Sequence, residues 1–140
     1  MGIDKKILFV DDEPLSVIGA IDFLQGAGYD TQYISSGKKA WEVLNKNPEG
    51  YKAIIIGYAM RGIDEVFLID MIKKSSNLNR IPVIVESDSE DAGSYLRALE
   101  SGAFDYLYKP FEKNFLLYVV DNAVNDANNV ELAGLCHPAT

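Results

Sequence analysis

Cysteine, histidine and tryptophan each occur once in these 140 residues, as Cys136, His137 and Trp41. A single cysteine excludes an internal disulfide and a thiolate metal cage. Cys136 and His137 are neighbours near the chain end and have no further soft ligand in the sequence, so they read as tail rather than as a metal site. No apolar run approaches the length of a membrane span. The short run at 7–10 (ILFV) is followed at once by three acids, so it does not serve as a signal-peptide core. Positive charge is scarce too: 13 Lys and Arg stand against 21 Asp and Glu, a net −8. That balance disfavours nucleic-acid binding and points to a protein partner or a cation. The expected location is the cytoplasm, with no membrane contact.

What is present is the size and composition of one soluble domain, 48% hydrophobic and 24% charged. We divide the chain into a domain over 1–126 and a tail over 127–140. Residues 7–10 read as a strand covered on both faces, and Pro14 opens a helix whose stripe passes through Leu15, Ile18, Ile21 or Asp22, and Leu24 or Gln25, with Gly26 and Gly28 as its stop. Residues 29–34 form a more polar strand suited to a sheet edge. Ser36 and Gly37 open a helix with Ala40, Val43 and Leu44 facing inward. Four apolar residues at 53–56, closed by Gly57, make the third strand. Asp64 caps the next helix, which buries Val66, Phe67, Ile69, Met71 and Ile72. Pro82 stands at the mouth of a strand at 81–85, residues 86–91 read as a polar loop, and Tyr95, Leu96 and Leu99 mark a helix ending at Gly102. A strand at 104–108 runs into Lys109-Pro110. A last helix at 112–126 carries Phe115, Leu116, Val119, Val120 and Ala123.

Five strand–helix alternations predict an α/β fold with a doubly wound, five-stranded parallel sheet. The first, third and fourth strands are the most apolar and belong in the centre, which gives the flavodoxin-like order 2-1-3-4-5. Ligands of such folds bind beyond the carboxyl ends of the strands. Asp11, Asp12, Gly57, Ser87 and Lys109 each stand at one of those ends. Two adjacent carboxylates need a counter-charge, which Lys109 or a divalent cation supplies; Mg²⁺ takes one or two protein carboxylates and fills its octahedron with water and phosphate oxygens.

FVDDEP after the first strand, IPVIVESDSE through the fourth, and ALESGAFDYLYKPF into the fifth resemble the receiver domains of two-component response regulators, the CheY-like family. The resemblance covers about 5–124. It implies that Asp11 and Asp12 hold Mg²⁺, that Ser87 contacts a phosphoryl group, that Lys109 pairs with that group, that Tyr106 is an aromatic switch, and that the Lys109-Pro110 bond is cis. Where the family carries its phosphoacceptor Asp, this chain has Gly57, with Arg61 in place of the usual Pro and Glu65 where Gly is common. Glycine has no side chain to attack phosphorus. The loss also removes a metal ligand, leaving Asp11, Asp12 and a backbone carbonyl near Ala59, so Mg²⁺ binding is expected to be weak.

Plainer roles stand beside these. The acids at 11–13 suit a helix N-terminus, Ser87 and Glu90 make a capping box, Lys109 serves to neutralise Asp12, and Tyr106 and Tyr108 are strand-edge aromatics. The functional expectation is a non-enzymatic receiver that binds a histidine kinase or an output domain without phosphorylation at position 57. A homodimer through helix four, strand five and helix five fits its tyrosines Tyr95, Tyr106, Tyr108 and Tyr118. The alternative is a phosphorelay receiver with a displaced acceptor, Asp88 or Asp12. A flavin or nucleotide site is disfavoured because FVDDEP is acidic rather than glycine-rich.

Overall fold

The computed structural model describes residues 6–57, 65–87, 92–110 and 112–128. Five strands alternate with five helices: β1 Lys6–Val10, α1 Pro14–Gly26, β2 Asp30–Ile34, α2 Gly37–Lys46, β3 Tyr51–Gly57, α3 Glu65–Lys74, β4 Val83–Ser87, α4 Ala92–Glu100, β5 Asp105–Tyr108 and α5 Lys113–Asn128. All pairings are parallel and the order is β2-β1-β3-β4-β5. The architecture is the expected one. β1, β3 and β4 are buried almost throughout, whereas the mixed strand β2 lies at an edge and is only partly covered.

Alternation along the strands builds two cores. Leu8, Val10, Ile54, Ile56, Val83, Val85 and Tyr106 face α2, α3 and α4, while Ile7, Phe9, Ala53, Ile55, Ile84 and Leu107 face α1 and α5. The second face positions the site described below.

Several helix faces differ from the sequence reading. α1 buries Val17, Ala20 and Leu24, and the expected inward residues Leu15 and Ile18 are 85% and 51% exposed. The helix has one charged residue, Asp22, so no polar face fixed the stripe. α3 buries Leu68 with Ile69 and Ile72 and turns Phe67 outward, and α5 turns Phe115 outward while Leu116, Val119, Val120 and Ala123 pack inside. α4 buries Ala98, with Leu96 exposed. The capping role given to Asp64 lies outside the described residues. Ser36 caps α2 as expected, its hydroxyl accepting from the Lys39 N–H at 3.2 Å.

β4 begins and ends two residues later than expected. Pro82 gives the ladder only its carbonyl, which accepts from Ile54 N at 2.9 Å, and pairing then runs from Val83 to Ser87. Glu86 and Ser87, expected in a polar loop, are therefore buried strand residues.

Candidate functional site

Asp11 follows β1 and remains tied to β2: its N–H donates to Ile34 O at 3.2 Å, and the Tyr33 hydroxyl donates to its carbonyl at 2.6 Å. Burial, then the charges of Asp11 and Asp12, push the Tyr33 pKa up. The carboxylate of Asp11 turns back onto the start of α1. Its Oδ1 accepts from Glu13 N at 2.9 Å and its Oδ2 from the Ser16 hydroxyl at 3.2 Å. Pro14 at the head of α1 donates no N–H there, so Glu13 and Ser16 satisfy the acid.

Lys109 reaches this group from the end of β5. Its Nζ donates to Ser16 Oγ at 2.7 Å and lies 3.6 Å from Asp11 Oδ2 and 3.8 Å from a Glu86 carboxylate oxygen. Lys109 thus faces Asp11 and Glu86, where the sequence had named Asp12 as the acid it neutralises. The Lys109-Pro110 bond is cis, as the resemblance implied.

Gly57 closes β3 beside them. A Cβ built on it would lie 2.6 Å from Asp11 Oδ2 and 2.9 Å from Asp11 Cγ, so the carboxylate of Asp11 occupies the space a side chain at 57 would enter. Glu86 is the register partner of Gly57 on β4 and is 0% exposed. Among the described residues its two carboxylate oxygens accept no hydrogen bond. Burial, chiefly, pushes its pKa up to about 8; Lys109 opposes the rise, and Asp11 adds to it, both through its charge and through the hydrogen bond that two carboxyl groups form when one holds a proton.

The other predicted residues are divided. Asp12 is partly exposed at the rim. Ser87, 3% exposed, ends β4 and its carbonyl accepts from Lys109 N at 2.7 Å. By alternation Ser87 shares the face of Val85 and Tyr106, opposite to that of Glu86. Tyr106 is buried and packs edge-on against Tyr95 at 5.6 Å and Tyr108 at 5.3 Å between ring centres, so it is a core aromatic rather than a strand-edge one. Ala59, Arg61, Asp88 and Glu90 lie outside the described residues, and with them the carbonyl ligand, the displaced acceptor and the capping box.

The described donors suit a divalent cation poorly. Both oxygens of Asp11 are engaged by protein donors, the β3 position supplies no oxygen from a side chain, and no group of three His, Cys, Asp or Glu able to hold a metal occurs among the described residues. Glu86, Ser16 and Tyr33 are the residues that sequence reading missed. A signal for the first was present, because two-residue steps from Phe9, Ile55, Ile84 and Leu107 place Asp11, Gly57, Glu86 and Lys109 on one face.

A doubly wound sheet of this order, with acids and a lysine meeting at its carboxyl rim, defines a CheY-like α/β signalling domain. The comparisons agree. A model of the response regulator receiver domain matches residues 7–121. The two-component response regulator ORR11 of Oryza sativa is 32% identical over 109 residues, which is 78% of this chain and 74% of ORR11. The two-component response regulator-like protein APRR5 of Arabidopsis thaliana is 30% identical over 116 residues, 81% of this chain and 20% of APRR5. A response regulator receiver domain protein from Clostridium thermocellum superposes with a TM-score of 0.82 at 25% identity, covering 90% of this chain and 98% of its own. The receiver domain of the sensor histidine kinase PA1611 from Pseudomonas aeruginosa, solved with magnesium in its active-site cleft, has the same fold, with a TM-score of 0.78 at 24% identity over 86% of this chain and 98% of its own. The chain belongs to the response regulator receiver family of two-component signalling.

Proposed function

We propose that this chain is a receiver module that signals by binding a protein partner, without phosphorylation at the end of β3 and without acting as an enzyme. The observation that carries this is Gly57: the strand end from which a carboxylate would attack phosphorus has no side chain, and the carboxylate of Asp11 fills the adjoining space. The name of APRR5, response regulator-like rather than response regulator, is compatible with this reading. In this reading Ser87 and Tyr106 serve as the switch pair, with Lys109 beside Asp11 and Glu86, so bias toward one state has to come from a partner or from the fold itself. The partner class is a histidine kinase or an output domain.

The face proposed for association, including a homodimer, is α4, β5 and α5. Tyr95, Tyr108 and Tyr118 reach solvent there, and such amphipathic rings suit an interface core, while Tyr106 belongs to the interior. The acidic charge makes nucleic acid an unfavourable partner. No helix among the described residues is long and apolar enough to cross a membrane, which is compatible with the cytoplasmic placement we propose. Mg²⁺ binding through Asp11 and Asp12 is weak in this reading, since Asp11 is already satisfied by protein donors.

Intact-mass analysis of the full chain after incubation with acetyl phosphate and Mg²⁺ tests the central point. The expected result is no mass gain. A stoichiometric, hydroxylamine-labile phosphoryl adduct overturns it, and mapping that adduct to Asp12 or Asp88 would establish a displaced acceptor instead.

A further inference from the structure

The sheet face turned toward α1 and α5 carries an unusual row at its carboxyl rim. Parallel pairing aligns Val10 with Ile56 and Gly57 with Glu86, so Asp11, Gly57 and Glu86 come at neighbouring positions across three adjacent strands. The row reads carboxylate, no side chain, carboxylate. One step inward, Phe9, Ile55 and Ile84 form an ordinary apolar row in the core.

An acid is out of keeping at the last but one position of a wholly buried strand. Burying a carboxylate is unfavourable unless a charge or hydrogen-bond donors compensate. Glu86 finds no hydrogen-bond donor among the described residues, and its compensation is the Lys109 ammonium at 3.8 Å. Lys109 in turn is held by the Ser16 hydroxyl and by Asp11. The bare Gly57 lies between the two acids, beside Asp11 and in register with Glu86. Asp11 already stands where a Cβ would be, and Glu86 faces Asp11 closely enough for the two carboxyl groups to influence each other's protonation.

We propose that Glu86 is the resident partner of Lys109, supplying from the adjacent strand the acid that position 57 lacks, and that Gly57 and Glu86 form one coupled pair in which the pocket tolerates an acid at only one of the two positions. Glu86 is a positioning residue here: it acts by holding Lys109. With Asp11 and Glu86 around one ammonium, the pocket is charge-balanced from within while one of the two acids holds a proton, and it needs no added anion to hold the lysine inward. The proposal deepens the reading of a receiver not phosphorylated at position 57 and rests on it for the meaning of that position. It also implies that restoring the acid at 57 by itself does not restore a working site.

The test is a pair of double-mutant cycles on the full chain, read by denaturant unfolding at one mildly alkaline pH. G57D and G57N place nearly equal bulk beside Asp11, but only the first adds charge. E86Q is expected to relieve the destabilisation of G57D by about tenfold or more in the unfolding equilibrium constant, and that of G57N by about threefold or less. Equal relief of both, or none, overturns the proposal. If G57D alone does not fold, recovery of a cooperative transition in G57D/E86Q supports it. If neither folds, competitive acetylation of the E86Q single variant decides: labelling of Lys109 relative to the exposed Lys39 is expected to rise several-fold, and an unchanged ratio overturns the coupling. Phosphorylation of the unsubstituted chain would refute the proposed function and leave these cycles to judge Glu86 by themselves.

Discussion

Glu86 concentrates the residue-scale chemistry because its folded pKa, pushed up to about 8 by burial, stands against 4.5 for a free glutamate. Between those values the folded protein keeps a proton that the unfolded chain has released. The unfolding free energy from this group is therefore highest below about pH 4.5 and falls as pH rises through about 8. At about 1.4 kcal/mol per unit of pKa difference, the loss is on the order of a few kcal/mol. Urea denaturation between about pH 5 and pH 9 is expected to show this decline in the unsubstituted protein and a flatter profile in E86Q; parallel profiles would show that Glu86 titrates normally. Gly57 makes a second prediction. Even the methyl group of G57A meets Asp11 Oδ2, the oxygen that accepts from Ser16, in a carboxylate whose other oxygen is held by Glu13 N, so the substitution is expected to cost about 1–3 kcal/mol in the same assay. No loss of stability would mean that the carboxylate of Asp11 swings away freely.

At the scale of elements, α1 shows how far a pattern can mislead when one class of residue fills every face. Its exposed Leu15 and buried Val17 are equally apolar, and only packing against the sheet separates them. Leu15→Ser is expected to change stability by no more than about 0.5 kcal/mol, whereas Leu24→Ala, in the core between α1 and the sheet, costs about 2–5 kcal/mol. Comparable losses at the two positions would return α1 to the stripe read from the sequence. α2, by contrast, was legible, because its mixture of charged and apolar residues leaves one inward face and Ser36 announces its start. β4 falls between these cases. Its apolar run suggested an end at Val85, but a strand ends where its neighbours stop pairing, and Gly57 and Tyr108 carry the ladder on through Glu86 and Ser87.

Taken whole, the molecule brings together residues 93 positions apart, Ser16 and Lys109, at the rim of one sheet. Two predictions belong to this scale. Calorimetry is expected to find Mg²⁺ binding in the millimolar range or weaker, since Asp11 has little coordination capacity left, and micromolar affinity would contradict that. Sedimentation at increasing concentration tests association through α4, β5 and α5: if a dimer forms there, Tyr118→Glu is expected to weaken it, and a dimer indifferent to that change uses another surface.

The sequence alone determined the order of elements, the central place of β1, β3 and β4, and the arrival of Asp11, Gly57 and Lys109 at one edge, because strand polarity and βα alternation follow from local composition. Only the tertiary structure decided that Glu86 joins them and that Ser87 and Tyr106 take the opposite face. Which side of a strand a residue occupies, and how far that strand runs, depends on register with its neighbours, and a change of one residue exchanges interior acid for exposed loop.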